Sequence, residues 1–137
     1  MIVGYTTGVF DLFHIGHVNM LRNAHSLCDK LIAGVTIDEL VAYKGKRSVI
    51  PFEERIEVVR ACKYVDLAVP QEDMDKVKAV KKLGADIIFV GDDWYESEKW
   101  KEFELELSKV SCEVKYFPYT KGTSSTKINS ILDDVRK

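Results

Sequence analysis

Short apolar segments alternate along the chain with longer segments of mixed polarity. Five apolar segments rich in β-branched residues predict strands, at IVGYT (2–6), LIAGVTI (31–37), VDLAVP (65–70), DIIFVG (86–91) and EVKYF (113–117). Each is short and apolar almost throughout, which is typical of strands that are buried on both faces of a sheet.

Helical periodicity fills the intervals between these strands. In PFEERIEVVRAC (51–62), Phe52, Ile56 and Val59 share one stripe, and Pro51 suits the start of a helix. Four more helices are predicted: one with Val18, Leu21, His25 and Cys28 on one face, one over 73–84 that ends at Gly84, one from about Glu96 to Lys109, and a last one with Ile128, Ile131, Leu132 and Val135 on its buried face. The segment AYKGKRS (42–48) is expected to be a polar loop.

Strands that alternate with helices predict an α/β fold, a doubly wound parallel five-stranded sheet with helices on both faces. The chain of 137 residues has no repeat and no linker, so one domain over 1–137 is expected. In such sheets ligands bind beyond the carboxyl ends of the strands, where the strand order reverses. If the first and fourth strands are neighbours, three stretches surround one crevice there: GVFDLFHIGH (8–17), GDDW (91–94) and YTKGTSSTK (119–127).

Charge and composition exclude some partners. The net charge is −2, so no basic field is available to attract a nucleic acid or an anionic membrane. No apolar run approaches the roughly 20 residues of a spanning helix, and the N-terminus lacks a basic leader, so a cytoplasmic protein is expected. Cys28, Cys62 and Cys112 are widely spaced, which favours buried thiols over a zinc site.

The histidines of GVFDLFHIGH are the strongest candidates for chemistry. A helix start suits a phosphate, because its backbone N–H groups are unpaired and its dipole is positive. His14 and His17 project from one side of this turn, and Gly16 between them lets an anion approach the backbone. Two such donors would stabilise charge on a phosphoryl group, which we favour over a purely structural role. His25, alone on a helix face, is interpreted as structural.

Other polar stretches leave two interpretations open. Lys44, Lys46 and Arg47 form either a solvated charge run or a phosphate clamp. Asp92 and Asp93 either cap a helix or hold a substrate hydroxyl or a hydrated Mg²⁺. The hydroxyls of residues 123–126 suit an N-cap, phosphate binding, or both.

Four stretches in this order resemble the cytidylyltransferase family, most of all its members that use glycerol 3-phosphate: GVFDLFHIGH, KYVDLAVP, GDDW and TKGTSSTKI. The HxGH motif alone marks only the wider nucleotidyltransferase superfamily, whereas the four together span almost the whole chain. The resemblance implies a homodimeric Rossmann-like domain of the nucleotidyltransferase type. It also implies that CTP and a small alcohol phosphate give a CDP-alcohol and pyrophosphate, with Mg²⁺ held mainly by the phosphates of CTP and no protein ligand named.

The resemblance also implies roles for individual residues. Catalytic roles fall to His14, His17, Lys44 and Lys46. Nucleotide contacts fall to Val9, Phe10, His14, His17, Lys46, Asp92, Tyr119, Thr120, Lys121, Gly122, Thr123, Ser124, Ser125 and Thr126. Substrate contacts fall to Asp11, Lys44, Lys63, Asp93 and Trp94.

Two positions depart from the family pattern. Tyr119 stands where the family has an arginine that binds the triphosphate, and Lys121 supplies a cation two residues later. Lys63 replaces a second family arginine, and lysine is a poorer bidentate clamp. The resemblance and these departures therefore imply an acceptor that is glycerol 3-phosphate or a relative such as glycerol 2-phosphate or ethanolamine phosphate. An adenylyltransferase and a nucleotide-sensing module without turnover are the alternatives.

Overall fold

The computed structural model describes residues 1–43, 45, 47–73, 75–91 and 100–117. Within them the strands are β1 (Val3–Gly8), β2 (Lys30–Thr36), β3 (Leu67–Gln71), β4 (Ile87–Gly91) and β5 (Glu113–Phe117). The helices are α1 (Ile15–His25), α2 (Asp38–Tyr43), α3 (Phe52–Arg60), α4 (Lys76–Leu83) and α5 (Trp100–Ser108). None of the helices in these ranges is long and apolar enough to cross a membrane.

The strands form one parallel sheet in the order β3-β2-β1-β4-β5. The predicted five-stranded α/β fold is confirmed, and β1 and β4 are neighbours, as the crevice requires. Helices α1 and α3 supply Leu21, Ala24, Ile56 and Val59 to the core on one face. Helices α4 and α5 supply Val80 and Leu107 to the core on the other face, so the sheet is doubly wound.

Aspartates tie the amino ends of the strands together. Asp29, Asp66 and Asp86 stand directly before β2, β3 and β4. Each accepts a hydrogen bond from a backbone N–H at the start of a neighbouring strand or directly before it: Asp29 from Ile2 N at 2.6 Å, Asp66 from Leu31 N at 2.8 Å, and Asp86 from Val3 N at 2.9 Å. Carboxylates therefore satisfy backbone N–H groups at the amino ends of the strands. The opposite end of the sheet, where the strands finish, is left for the functional loops.

The structure corrects three local predictions. Part of the expected loop is helical, because α2 begins at Asp38 and continues to Tyr43. Helix α1 ends at His25, so Cys28 lies beyond it rather than on its face. Cys112 is buried as predicted, but Cys28 and Cys62 are only half-buried. The helix predicted from about Glu96 to Lys109 is found in the described residues as α5 (Trp100–Ser108), and residues 96–99 and the predicted last helix lie outside the described residues.

Candidate active site

The two motif histidines cap the first helix with their own rings. His14 is the N-cap residue of α1 and has extended backbone angles, and its Nδ1 accepts a hydrogen bond from Gly16 N at 3.0 Å. In return, His14 N donates to Nδ1 of His17 at 3.1 Å. This is the reciprocal pattern of a capping box, built from imidazoles instead of the usual Ser or Thr and Glu or Gln. It also means that Gly16 N–H is occupied, contrary to the expectation that the backbone there is open to an anion.

These bonds determine where each imidazole carries its proton. A nitrogen that accepts a hydrogen bond carries no hydrogen, so the neutral rings of His14 and His17 must hold theirs on Nε2. The two rings stack with their centroids 4.0 Å apart. Within the described part of the chain, neither Nε2 is seen to donate to another residue. The helix start therefore carries two stacked imidazoles, each with an N–H donor at Nε2.

Burial keeps both rings neutral. Desolvation, followed by the neighbouring His14, lowers the pKa of His17 to about 4, and the opposing effect of Asp11 is smaller. Burial also lowers the pKa of His14. The pair therefore acts at neutral pH as hydrogen-bond donors rather than as cations.

The turn before the helix has an unusual backbone. Phe10 and Leu12 have φ values of 55° and 50°, a left-handed region that bulky residues seldom adopt. The Phe10 ring is buried and lies 5.4 Å from the His17 ring, centroid to centroid. A side chain at Gly8 would come within 3.1 Å of the Phe10 ring, so the glycine makes room for it. Since this ring packs behind His17, any contact of Phe10 with a nucleotide would come from its backbone.

Asp11 joins this turn to a distant loop. Its carboxylate is buried and accepts hydrogen bonds from Val49 N at 2.8 Å and Ile50 N at 2.9 Å. The structure thus gives Asp11 a positioning role, whereas the predicted contact with the substrate stays a prediction.

Arg55 is a structural residue beside the histidine turn that the sequence reasoning missed. Its side chain is completely buried, and its guanidinium donates to the carbonyls of Ile50 at 2.8 Å, Val9 at 2.7 Å and Thr36 at 2.7 Å, and to Asp38 at 2.5 Å. This one cation joins the ends of β1 and β2, the start of α2 and the segment before α3. A signal was present, because Arg55 lies three residues after Phe52 and beside Ile56, on the buried stripe of α3.

The other predicted residues are only partly brought together. The carbonyl of Val9 meets Arg55, beside the histidine turn. Lys63 lies in the turn before β3, at the edge where strands begin, with its Nζ 5.1 Å from the Tyr64 ring centroid. It is therefore not near the histidines of its own chain, and its predicted role stays untested. The remaining predicted residues lie outside the described ones: Lys44, Lys46, Asp92, Asp93, Trp94, Tyr119, Thr120, Lys121, Gly122, Thr123, Ser124, Ser125 and Thr126.

Metal ligands are scarce in the described ranges. No three His, Cys, Asp or Glu side chains there are grouped closely enough to hold a metal ion. At the histidine turn, both oxygens of Asp11 already accept backbone hydrogen bonds.

Comparison with known proteins settles the family. The sequence pattern of the family described as cytidylyltransferase-like matches residues 5–131. The chain belongs to this family. The glycerol-3-phosphate cytidylyltransferase of Staphylococcus aureus is 36% identical over 128 residues, which cover 93% of this chain and 92% of that protein. The FAD synthase of Archaeoglobus fulgidus is 40% identical over 108 residues, which cover 79% and 78%.

Solved structures agree with the fold. The lipopolysaccharide core biosynthesis protein of Thermoplasma volcanium superposes with a TM-score of 0.75 at 30% identity, and the match covers 90% of this chain and 99% of that one. Membership of the cytidylyltransferase-like family makes this chain a nucleotidyltransferase enzyme.

Proposed function

We propose that this nucleotidyltransferase transfers the cytidylyl group of CTP to a small alcohol phosphate, glycerol 3-phosphate or a close relative. The products are a CDP-alcohol, such as CDP-glycerol, and pyrophosphate. The observation that carries the proposal is the pair of stacked, neutral histidines at the start of α1, which hold their protons on Nε2. The similarity to glycerol-3-phosphate cytidylyltransferases over most of the chain supports the choice of nucleotide and acceptor.

The chemistry is a direct displacement. An oxygen of the acceptor phosphate attacks the α-phosphorus of CTP, the bond from that phosphorus to the oxygen bridging the β-phosphorus breaks, and pyrophosphate leaves. Negative charge is redistributed over the α-phosphate oxygens in the transition state. His14 and His17 would donate hydrogen bonds to these oxygens, and their capping bonds hold the rings in place beforehand. No protein nucleophile is needed.

The other roles follow from the resemblance. Lys46 and Lys121 would bind the β- and γ-phosphates, Lys44 the acceptor phosphate, and residues 119–126 the nucleotide. Magnesium bound to the phosphates would neutralise their charge. A homodimer and a cytoplasmic location are part of the same proposal.

A second candidate is an adenylyltransferase, since several relatives that match most of this chain are FAD synthases. Both candidates share the histidine turn and differ in nucleotide and acceptor. Pyrophosphate release, measured with CTP or ATP against glycerol 3-phosphate, glycerol 2-phosphate, ethanolamine phosphate and FMN, separates them. Release with CTP and a small alcohol phosphate is expected. Release with ATP and FMN would establish the second candidate, and nucleotide binding without release from any acceptor would contradict both.

A further inference from the structure

The hydroxyl of Thr36 joins the ends of three neighbouring strands. Gly8, Thr36 and Gln71 are the last residues of β1, β2 and β3, which lie side by side in the sheet. Thr36 Oγ1 donates to the carbonyl of Gly8 at 3.2 Å and to Oε1 of Gln71 at 2.6 Å. A hydroxyl carries one proton, so the two acceptors share it. Thr36 thus reaches the residue from which the histidine turn begins.

Buried polar side chains are concentrated around this turn. Five polar or charged side chains are buried in the described ranges: Thr6, Asp11, Thr36, Arg55 and Gln71. All except Thr6 lie around the carboxyl ends of β1, β2 and β3. A buried polar group costs stability unless it is bonded, whereas an apolar side chain of the same size does not. The concentration therefore favours a defined geometry at this place over the greatest stability.

Two successive peptide groups at the start of the turn are held from the side. The carbonyl of Gly8 accepts from Thr36, and the carbonyl of Val9 accepts from the guanidinium of Arg55 at 2.7 Å. The same guanidinium nitrogen donates to the carbonyl of Thr36 at 2.7 Å, so the two donor residues are themselves joined. Peptide groups are planar, so their orientation sets the backbone angles of the residues beside them. These two carbonyls therefore determine how the chain enters Phe10.

Phe10 connects this backbone to the histidines. Its φ of 55° is strained for a bulky residue and persists only where the surroundings impose it. Its ring packs behind His17, with the two centroids 5.4 Å apart, and Nδ1 of His17 accepts from the backbone of His14. A change in the entry to the turn would therefore move the Phe10 ring and the histidine pair with it.

We propose that Thr36 is a positioning residue for nucleotidyl transfer: its hydroxyl holds the carbonyl of Gly8 and thereby sets the turn that carries His14 and His17. Thr36 acts through the backbone and touches neither substrate. The proposal rests on the proposed function, because that function assigns the transfer to the two histidines. The bond from Thr36 to Gln71 is not required, since its loss leaves the hydroxyl proton to Gly8.

Four single variants separate the two bonds of Thr36. Thr36→Val removes the hydroxyl at nearly the same volume, and Thr36→Ser keeps it. Gln71→Met removes one acceptor and leaves the bond to Gly8. Thr6→Val is the matched control, because Thr6 is an equally buried threonine on β1 whose hydroxyl donates to the carbonyl of Phe89 at 3.3 Å.

Kinetics and unfolding together distinguish positioning from stability. Thr36→Val should lower kcat roughly tenfold or more, because a small misplacement of reacting groups is costly, and leave the KM for CTP within about twofold. The other three variants should keep kcat within about threefold. Thermal unfolding should show similar losses of stability in Thr36→Val and Thr6→Val, since each loses one buried hydroxyl bond.

A double variant covers the case in which Thr36→Val folds poorly. Thr36→Val combined with Gln71→Met leaves no amide without its partner, so it should recover stability, whereas kcat should stay low. Recovery of kcat together with stability would mean that Thr36 serves the fold alone.

NMR tests the geometry without turnover. The ring C–H signals of His14 and His17 are recorded in the full chain without nucleotide. They should shift in Thr36→Val, because an aromatic ring such as that of Phe10 alters the signals of protons near it. They should stay close to the wild-type positions in Thr36→Ser and Gln71→Met.

Three further results would overturn the proposal. They are a wild-type kcat in Thr36→Val, an equal loss of kcat in Gln71→Met or Thr6→Val, and histidine signals that do not move in Thr36→Val. If the wild-type chain releases no pyrophosphate from CTP with any small alcohol phosphate, the proposed function fails, whereas the ring signals still decide whether Thr36 sets the histidine turn. If the wild-type chain turns over and Thr36→Val matches it, the positioning proposal alone fails.

Discussion

The backbone N–H of His14 donates a hydrogen bond to Nδ1 of His17, at a distance of 3.1 Å. Gly16 N also donates to Nδ1 of His14. Through these two bonds, both histidines act as helix caps. The same side chains therefore begin the helix and orient the donors proposed for the reaction. A substitution that removes one histidine affects both properties unless the replacement still caps the helix.

Substitution of either histidine should lower turnover even where the replacement keeps the helix cap and the stability of the protein. His14→Ala and His17→Ala should each lower kcat about a hundredfold or more, because a preoriented donor to the transition state is lost. His14→Ser and His17→Gln keep the cap acceptors of an ordinary capping box, so they should unfold at nearly the wild-type temperature and still lose turnover. Pyrophosphate release and thermal unfolding, measured on all four variants, test this. Wild-type rates in either capping variant would return that histidine to a structural role.

Stability should fall in mildly acidic solution. The pKa of His17 is about 4 in the folded chain, against about 6.5 in an unfolded one. Between these values the unfolded state binds a proton that the folded state excludes, so the free energy of unfolding decreases as the pH falls from about 6.5 toward 4. The loss contributed by His17 is up to about 3 kcal/mol.

Urea unfolding at pH 7, 6 and 5 measures this loss. His17→Gln removes the titrating group while keeping the cap, so its stability should change less over the same range. Equal slopes for the variant and the wild type would show that His17 is not the group responsible.

The sequence predicted the sheet because each strand is a short β-branched segment between helical repeats. It also predicted that the two histidines lie at a strand-to-helix junction, because GVFDLFHIGH follows a strand segment and precedes a helical one. Helix α2 was missed because its six residues are too few to show a periodicity. The capping role of the imidazoles was missed because histidine is not a usual N-cap residue.

Contacts between distant segments were beyond prediction. Asp11 accepts bonds from residues 38 and 39 positions later, and no local pattern signals that approach. Arg55 carries a charge on a buried stripe, and a charged residue at such a position is ordinarily assigned to the surface. Its burial makes sense only once the ends of β1, β2 and the segment before α3 are known to meet around it.

Arg55 should be essential to the fold. Arg55→Met removes the donors to three carbonyls and to Asp38, so we expect a loss of roughly 3 kcal/mol or more in the free energy of unfolding. Arg60→Met is the matched control on the same helix, because Arg60 is 52% exposed and pairs only with Glu57 among the described residues. It should cost less than about 1 kcal/mol. Urea denaturation compares the two, and similar losses would mean that the buried network contributes little.

Gly34 should be required because the Tyr5 ring crosses it. A side chain at Gly34 would approach Tyr5 Oη to 2.5 Å and the nearest ring carbon to 3.1 Å, so Gly34→Ala should destabilise the protein by roughly 1–3 kcal/mol. Tyr5→Phe removes the closest atom, and the double variant should therefore lose less stability than the two single losses added together.

Gly84→Ala is the control for the double-mutant cycle formed by Gly34→Ala and Tyr5→Phe. Gly84 has a φ of 67°, and beyond its chain neighbours no atom of the described residues lies within 4 Å of the added carbon, so alanine there is penalised by its backbone conformation, by about 1 kcal/mol. Tyr5→Phe should give no relief at this position, and the two effects should add. Thermal or urea unfolding of the two cycles provides the comparison. If Gly34→Ala and Tyr5→Phe also prove additive, the close approach of the tyrosine is not what excludes a side chain from position 34.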